Sequence, residues 1–167
     1  MFIFILLKRS VNMRTVNLRR IISFFLIIIV WQFSHAQQAE IEKEILAITE
    51  KYNQAWESLD IEEISKYHAD DILYYWYGSQ GPTSKKDFDR LLEQMLPSMT
   101  EYIHEILSYQ VQVLSDNVVT FSHMYDGQYT ATDGKTTNYD GALTYVFKKM
   151  DEEWKIVLIH ESARNEQ

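Results

Sequence analysis

The sequence of 167 residues contains no cysteine, only two prolines and only five glycines. Without cysteine the chain cannot form disulfides, use a thiol nucleophile or carry a lipid on an amino-terminal cysteine. It also lacks a glycine-rich phosphate loop, a nucleophile elbow and a spaced set of metal ligands. We therefore expect a domain that is stabilised by its hydrophobic core and that needs neither a metal nor another cofactor.

The first 36 residues differ in composition from the rest of the chain. They contain five basic residues and no acidic one, with an apolar block over 21–33 and then Ser34-His35-Ala36. A block of 13 residues is too short for a helix that crosses a bilayer, and the small residues match a signal-peptidase site. We predict a signal peptide over 1–36 and an exported protein, periplasmic or secreted. An uncleaved membrane anchor is the alternative.

The predicted mature chain, residues 37–167, is strongly acidic. It keeps all 24 acidic residues but only 11 of the 16 basic ones, which gives a net charge of −13. This charge repels nucleic acids and anionic lipids, so we expect no nucleic-acid partner and no membrane binding after cleavage. Its length suits one domain. The true start of the chain is either Met1 or Met13.

Helices are predicted in the first half of the mature chain. Apolar residues recur every three or four positions from Ile41, which predicts an amphipathic helix over about 39–59. Asp60 can cap a second, short helix. A third helix follows the glycines and Pro82, is capped by Thr83 or Ser84, and ends at Pro97.

Strands are predicted around and after that third helix. A short aromatic strand is expected over 71–77, and β-prone segments separated by turn residues predict four long strands. Their ranges are 102–114, 118–131, 136–149 and 154–162. Helices first and strands later, without regular alternation, indicate an α+β domain with an antiparallel sheet.

Several short motifs, weak individually, occur in an order that is specific together. They are Ala55-Trp56 with Asp60, Tyr67-His68-Ala69-Asp70-Asp71, Gly81, and Trp154-Lys155-Ile156-Val157 before His160-Glu161-Ser162. In this order the chain resembles the nuclear transport factor 2-like superfamily, notably SnoaL-like proteins and the calcium/calmodulin-dependent kinase II association domain. The resemblance covers almost all of residues 37–167. It implies a cone: a strongly curved, mostly antiparallel sheet with three N-terminal helices packed on its concave face, and a pocket between them.

Alternation along the last strand assigns its side chains to two faces. Ile159 and Glu161 share one face with Lys155 and Val157, and the other face carries Trp154, Ile156, Leu158, His160 and Ser162. Both faces are largely apolar, although helices cover only one. We therefore expect a homodimer through the sheet, as the resemblance to the kinase association domain also implies.

The resemblance suggests a pocket with unusual chemistry. The positions of the kinase domain's pocket arginines fall on Tyr125, Tyr145 and Glu161, so an anionic ligand of that type is not expected. With Trp56, Trp76 and Ile159, the two tyrosines are expected to line a pocket for a small apolar or aromatic molecule.

Catalysis is a second possibility. Ketosteroid isomerases share the superfamily fold, and the resemblance places Tyr52 where their oxyanion-stabilising tyrosine lies. Trp76 replaces their catalytic aspartate, so that mechanism lacks its base. His123 is the best general-base candidate, because it shares a strand face with Tyr125 and its reference pKa is near neutrality.

Three hypotheses follow. The first is a ligand-binding domain with no assigned catalysis. The second is an isomerase, dehydratase or cyclase without metal, using His123, Tyr52 and Glu161 as its catalytic groups. The third is a structural or protein-interaction module that acts through its sheet face. The cluster of His68, Asp70 and Asp71 fits no metal-ligand motif.

Overall fold

The structure is a computed structural model of the whole chain. It describes the backbone of residues 18–76 and 79–165, and the side chains of 36–76 and 79–164. Tyr77, at the end of the strand expected over 71–77, lies outside the described residues. The side chains of residues 1–35, which make up nearly all of the predicted signal peptide, also lie outside them. The chain divides into two compact units between Gln37 and Gln38, and the second contains the site discussed below. No helix among the described residues is long and apolar enough to cross a membrane.

The described residues form three α-helices, a short 3₁₀-helix and six strands. The helices are α1 (Leu18–Glu57), α2 (Ile61–Ser65) and α3 (Lys85–Met95), which continues into the 3₁₀-helix Leu96–Ser98. The strands are β1 (His68–Trp76), β2 (Ser79–Gln80), β3 (Met99–Ser115), β4 (Val118–Ala131), β5 (Thr136–Met150) and β6 (Glu153–Asn165).

Side chains cap the two shorter helices as the sequence predicts. The Asp60 carboxylate accepts hydrogen bonds from the backbone N–H groups of Glu62 and Glu63, and the Ser84 hydroxyl accepts one from Asp87 N–H. α1 differs from its prediction, because it begins at Leu18 rather than near residue 39. No proline or glycine interrupts the chain over that range, so nothing in the sequence ends the helix there.

The six strands form one curved, unclosed sheet in the order β2-β1-β6-β5-β4-β3. The pairing of β1 with β6 is parallel, and the other pairings are antiparallel. Buried residues of α1, such as Ile45, belong to the same hydrophobic core as Phe121, Tyr145 and Phe147 of the sheet. The α+β cone predicted from the sequence is therefore confirmed.

A bulge in β6 corrects the predicted faces of the last strand. Val146 pairs with Leu158 and Phe147 with Ile156, so Val157 is an extra residue in the ladder. Because of this extra residue, the side chains that precede Val157 in β6 lie on the opposite face from the one that simple alternation assigns to them. Trp154 and Ile156 are consequently buried on the same face as Ile159, whereas simple alternation had placed them on the opposite face.

The sheet face away from the helices has large apolar side chains that the single chain leaves uncovered. Met124 alternates with the buried His123 and Tyr125, and 49% of its surface is exposed. Ile103 and Leu107 of the edge strand β3 are 42% and 56% exposed. This apolar outer face is the surface that the predicted dimer would bury.

We predict that Gly141→Ala destabilises the fold through steric conflict. A Cβ atom there would lie 2.4 Å from the Ser162 carbonyl oxygen and 2.9 Å from the Tyr125 hydroxyl. Because the first contact is with backbone, we expect the free energy of unfolding to fall by about 3 kcal/mol in urea titrations.

Gly134→Ala is the matched control. Its φ of +82° disfavours alanine, but no atom lies within 4 Å of the added Cβ, so the expected loss is about 1 kcal/mol. Equal losses in the two variants would contradict the steric explanation.

Candidate functional site

A small cavity of about 50 Å³ lies between α1, α3 and the concave face of the sheet. Six of its lining side chains are Tyr, Trp or Phe, and the polar ones come from three different elements. The lining residues are Tyr52, Asn53, Trp56, Tyr74, Phe88, Tyr102, His104, Leu143, Tyr145, Ile159 and Glu161. The cavity is therefore an aromatic enclosure with one carboxylate in its wall.

Glu161 is the only acidic side chain among these lining residues, and two tyrosines hold it in place. The hydroxyls of Tyr74 and Tyr125 each donate to a different carboxylate oxygen, at 2.6 Å. Such short O–H···O⁻ contacts are charge-assisted and stronger than neutral hydrogen bonds. Burial, reinforced by the Glu161 charge, raises the pKa of Tyr74 far above its ordinary value, so Tyr74 stays protonated as a donor. A carboxylate offers about four lone-pair sites, so Glu161 retains the capacity to accept from a ligand.

Tyr52 and His68 form a second polar pair at the cavity wall. The Tyr52 hydroxyl lies 2.8 Å from Nε2 of His68, which is 3% exposed. Burial raises the pKa of Tyr52, the Trp56 indole partly offsets this, and the Glu161 charge adds to it. Burial lowers the pKa of His68 to about 3. Both side chains are therefore neutral near pH 7.

His104 and His123 pair with each other at the sheet side of the cavity. Their Nε2 atoms are 2.9 Å apart, so one ring donates and the other accepts. Burial lowers the pKa of His104 to about 4, and burial with the neighbouring His104 lowers that of His123 to about 3. Of the two rings, His104 lines the cavity and His123 lies outside the lining set. A histidine with so low a pKa is a weak general base at neutral pH.

The structure brings together most of the residues that the sequence singled out. Five of them line the cavity: Tyr52, Trp56, Tyr145, Ile159 and Glu161. Tyr125 is not a lining residue but contacts the site through its hydrogen bond to Glu161. Trp76 is 43% exposed at the end of β1 and does not line the cavity, contrary to expectation.

Sequence reasoning missed other members of the site. Tyr74 reaches Glu161 because β1 pairs in parallel with β6, which places Tyr74 beside Ile159. His68, considered from the sequence only as part of a cluster with Asp70 and Asp71, is the first residue of β1 and is buried. No local pattern reports the order of strands in a sheet, so neither contact could be derived from spacing alone.

The rings of Trp56 and Tyr102, two of the lining residues, are in contact. Their ring centroids are 5.4 Å apart with an interplanar angle of 34°, and both side chains are partly exposed. Larger depressions occur beside α3 and between α1 and β3, at about 530 and 470 Å³. The first is lined almost entirely by charged side chains, whereas the second mixes three glutamates with polar and apolar side chains. Both are open to solvent, so they are surface depressions rather than enclosed sites.

Comparison with known proteins identifies the relatives of this cone. The sequence profile of the calcium/calmodulin-dependent protein kinase II association domain family matches residues 41–165. The chain belongs to this family. A search of curated protein sequences found no match.

Solved structures related to this association domain share its fold. A protein provisionally described as such a domain, from Xanthomonas campestris, has 21% identity and a TM-score of 0.64, over 72% of this chain and 86% of that one. A provisionally assigned scytalone dehydratase from Novosphingobium aromaticivorans has 12% identity and a TM-score of 0.72, over 80% and 92%. A nuclear transport factor 2-like protein from Salmonella enterica has 14% identity and a TM-score of 0.68, over 78% and 95%. These similarities show a shared fold.

We predict that the stability of this association domain falls as the pH drops below about 6.5. The pKa values of the buried His68, His104 and His123 are lowered to about 3, 4 and 3, whereas an unfolded chain protonates histidine near 6.5. Between these values the unfolded state binds more protons, so acid favours unfolding. Each histidine contributes up to about 1.4 kcal/mol per pH unit.

The test is the slope of the unfolding free energy against pH, measured with urea between about pH 4.5 and 6.5. His123→Gln should flatten this slope by about 1 kcal/mol per pH unit. The control, His160→Gln, alters an exposed histidine and should leave the slope unchanged. If the slope for His123→Gln equals that of the unmodified protein, the buried and neutral state of the His104–His123 pair is contradicted.

Proposed function

We propose that this protein binds a small, mostly aromatic molecule in the cavity, and that the molecule donates a hydrogen bond to Glu161. The observation that carries this proposal is a carboxylate in an aromatic wall, held by Tyr74 and Tyr125 with acceptor capacity to spare. Aromatic walls with a few fixed polar groups are characteristic of small-molecule sites.

The charge of the cavity defines which ligands it can accept. Among the described residues that line it, Glu161 is the only charged group, since the lining histidine His104 is neutral. An anionic ligand would meet an uncompensated carboxylate at low dielectric, which is strongly unfavourable. Neutral phenols, alcohols and amines match the site, because each offers a donor beside an apolar body.

The cavity must widen to admit such a molecule. Its volume of about 50 Å³ is well below the few hundred Å³ of ordinary ligand sites. Trp56 and Tyr102 are the side chains to move, because they are the partly exposed aromatic pair at the cavity. Their separation would open the cavity and leave the hydrogen bonds of Glu161 in place, while it would move the Trp56 ring away from Tyr52.

We predict that phenol binds and that benzoate, of similar shape but anionic, does not. Glu161→Gln should weaken phenol binding about three- to tenfold, because a neutral acceptor replaces a charge-assisted one, and should permit weak benzoate binding. Isothermal titration calorimetry measures both affinities.

The control variant for this test is Glu42→Gln, which removes the same charge from an exposed position of α1. It should bind phenol like the unmodified protein. Benzoate binding as tight as phenol binding in the unmodified protein would refute the proposal.

We further propose that the protein is exported and functions as a homodimer through the apolar outer face. The support for export is the basic and apolar character of residues 1–36. The support for dimerisation is the family match and the exposure of Met124, Ile103 and Leu107 on the sheet. Exposed apolar patches of this kind are typical of protein interfaces.

Met124→Lys should dissociate that dimer. A lysine at the centre of an apolar interface would be buried without a partner, which we expect to weaken association at least about 100-fold. Light scattering after gel filtration at micromolar concentration reports the mass. Thr132→Lys, in the exposed β4–β5 turn, is the control and should remain dimeric. A monomeric unmodified protein would contradict the interface.

An elimination enzyme is the second candidate. It is favoured by the fold shared with the provisionally assigned scytalone dehydratase and by a carboxylate that faces tyrosine hydroxyls in one cavity. Binding without catalysis remains our first proposal for two reasons. Both Glu161 oxygens already accept hydrogen bonds, and His123, the general-base candidate from the sequence, does not line the cavity.

A further inference from the structure

One buried nitrogen defines the direction of the hydrogen bond between Tyr52 and His68. Nε2 of His68 contacts the tyrosine hydroxyl at 2.8 Å, and Nδ1 is buried with no hydrogen-bond partner among the described residues. A neutral imidazole carries its single proton on one of these nitrogens. The two possible tautomers leave different groups unsatisfied.

A proton on Nδ1 would bury an N–H donor with no acceptor, and would require the Tyr52 hydroxyl to donate to Nε2. A proton on Nε2 leaves a lone pair without a donor at Nδ1 and turns the Tyr52 O–H toward the cavity that Tyr52 lines, where water or a ligand can accept it. Buried donors without acceptors are much rarer in proteins than acceptors with unused capacity. The second tautomer is therefore the favoured one, and His68 donates to the tyrosine oxygen. The low pKa of His68, about 3 because of burial, removes the doubly protonated alternative.

The tyrosine proton then has no acceptor on His68 or on Trp56. The neighbouring Trp56 indole can only donate, and His68 offers Tyr52 an N–H rather than a lone pair. Since Tyr52 lines the cavity, the remaining direction for its O–H is into that space. Glu161 lines the same cavity and is an acceptor.

We infer that the cavity has a fixed polarity, with Tyr52 as a hydrogen-bond donor oriented by His68 and Glu161 as an acceptor. The inference rests on the proposed binding function and refines its ligand class. The ligand is a small aromatic molecule with an acceptor group, such as a carbonyl, for Tyr52 and a hydroxyl or amine donor for Glu161. His68 is a positioning residue in this arrangement, because it acts on the ligand only through Tyr52.

The tautomer of His68 can be measured without any ligand. In the full-length protein labelled with ¹⁵N-histidine, long-range ¹H–¹⁵N correlation spectra separate protonated from unprotonated ring nitrogens. We expect the His68 spectrum to show a protonated Nε2 and a bare Nδ1, with the exposed His160 as the reference. A proton on Nδ1 would overturn the inference, because Tyr52 would then be committed to donating to His68.

Two probes test the consequence for binding. 4-Hydroxybenzaldehyde carries a carbonyl acceptor and a phenol donor, whereas phenol lacks the acceptor. We expect 4-hydroxybenzaldehyde to bind about three- to tenfold more tightly than phenol, the range of one additional hydrogen bond. Tyr52→Phe should abolish this difference and leave the affinity for phenol nearly unchanged.

Tyr109→Phe removes a hydroxyl from a half-exposed tyrosine outside the cavity and should preserve the difference. Equal affinities for the two probes in the unmodified protein would overturn the fixed polarity while leaving the proposed binding function intact. A protein that binds neither probe would instead overturn the proposed function, and the histidine spectrum would still decide the direction of the Tyr52 hydrogen bond.

Discussion

The carboxylate of Glu161 must find hydrogen-bond donors inside a wall of aromatic rings, and this requirement organises one end of the cone. Tyr74 of β1 and Tyr125 of β4 supply the donors, so two other strands converge on one side chain of β6. Gly141 on β5 is part of the same arrangement, since a side chain there would press on the Ser162 backbone and on the Tyr125 hydroxyl. A cluster of one charge and two hydroxyls therefore connects strand order, glycine placement and cavity chemistry.

The other buried polar groups follow the same rule of mutual satisfaction. Tyr52 of α1 is hydrogen-bonded to His68 of β1, and His104 of β3 to His123 of β4. Each pair connects two elements that are distant in the sequence, and each is neutral because burial lowers the histidine pKa values. Polar groups in an aromatic interior stabilise a fold only when they are paired, and unpaired ones are costly. Nδ1 of His68 is an exception, because it is buried without a hydrogen-bond partner among the described residues.

More of the fold than of the site could be predicted from the sequence. Helical periodicity from Ile41, the caps Asp60 and Ser84, and the turn signals between strands are local, and the structure agrees with them. The bulge at Val157 and the parallel pairing that brings Tyr74 to Glu161 depend on contacts between distant segments. A period-2 pattern cannot reveal an extra residue in a ladder, which is why Trp154 and Ile156 were assigned to the wrong face.

Within the association domain family, this chain combines the common cone with a cavity whose charge is negative. The most direct test of ligand binding in this cavity is a crystal structure of the protein grown with saturating phenol. We predict phenol in the cavity, with its oxygen about 2.7 Å from a Glu161 carboxylate oxygen and with the centroids of the Trp56 and Tyr102 rings farther apart than their present 5.4 Å. A closed cavity with phenol bound elsewhere, or with no phenol bound at all, would contradict it.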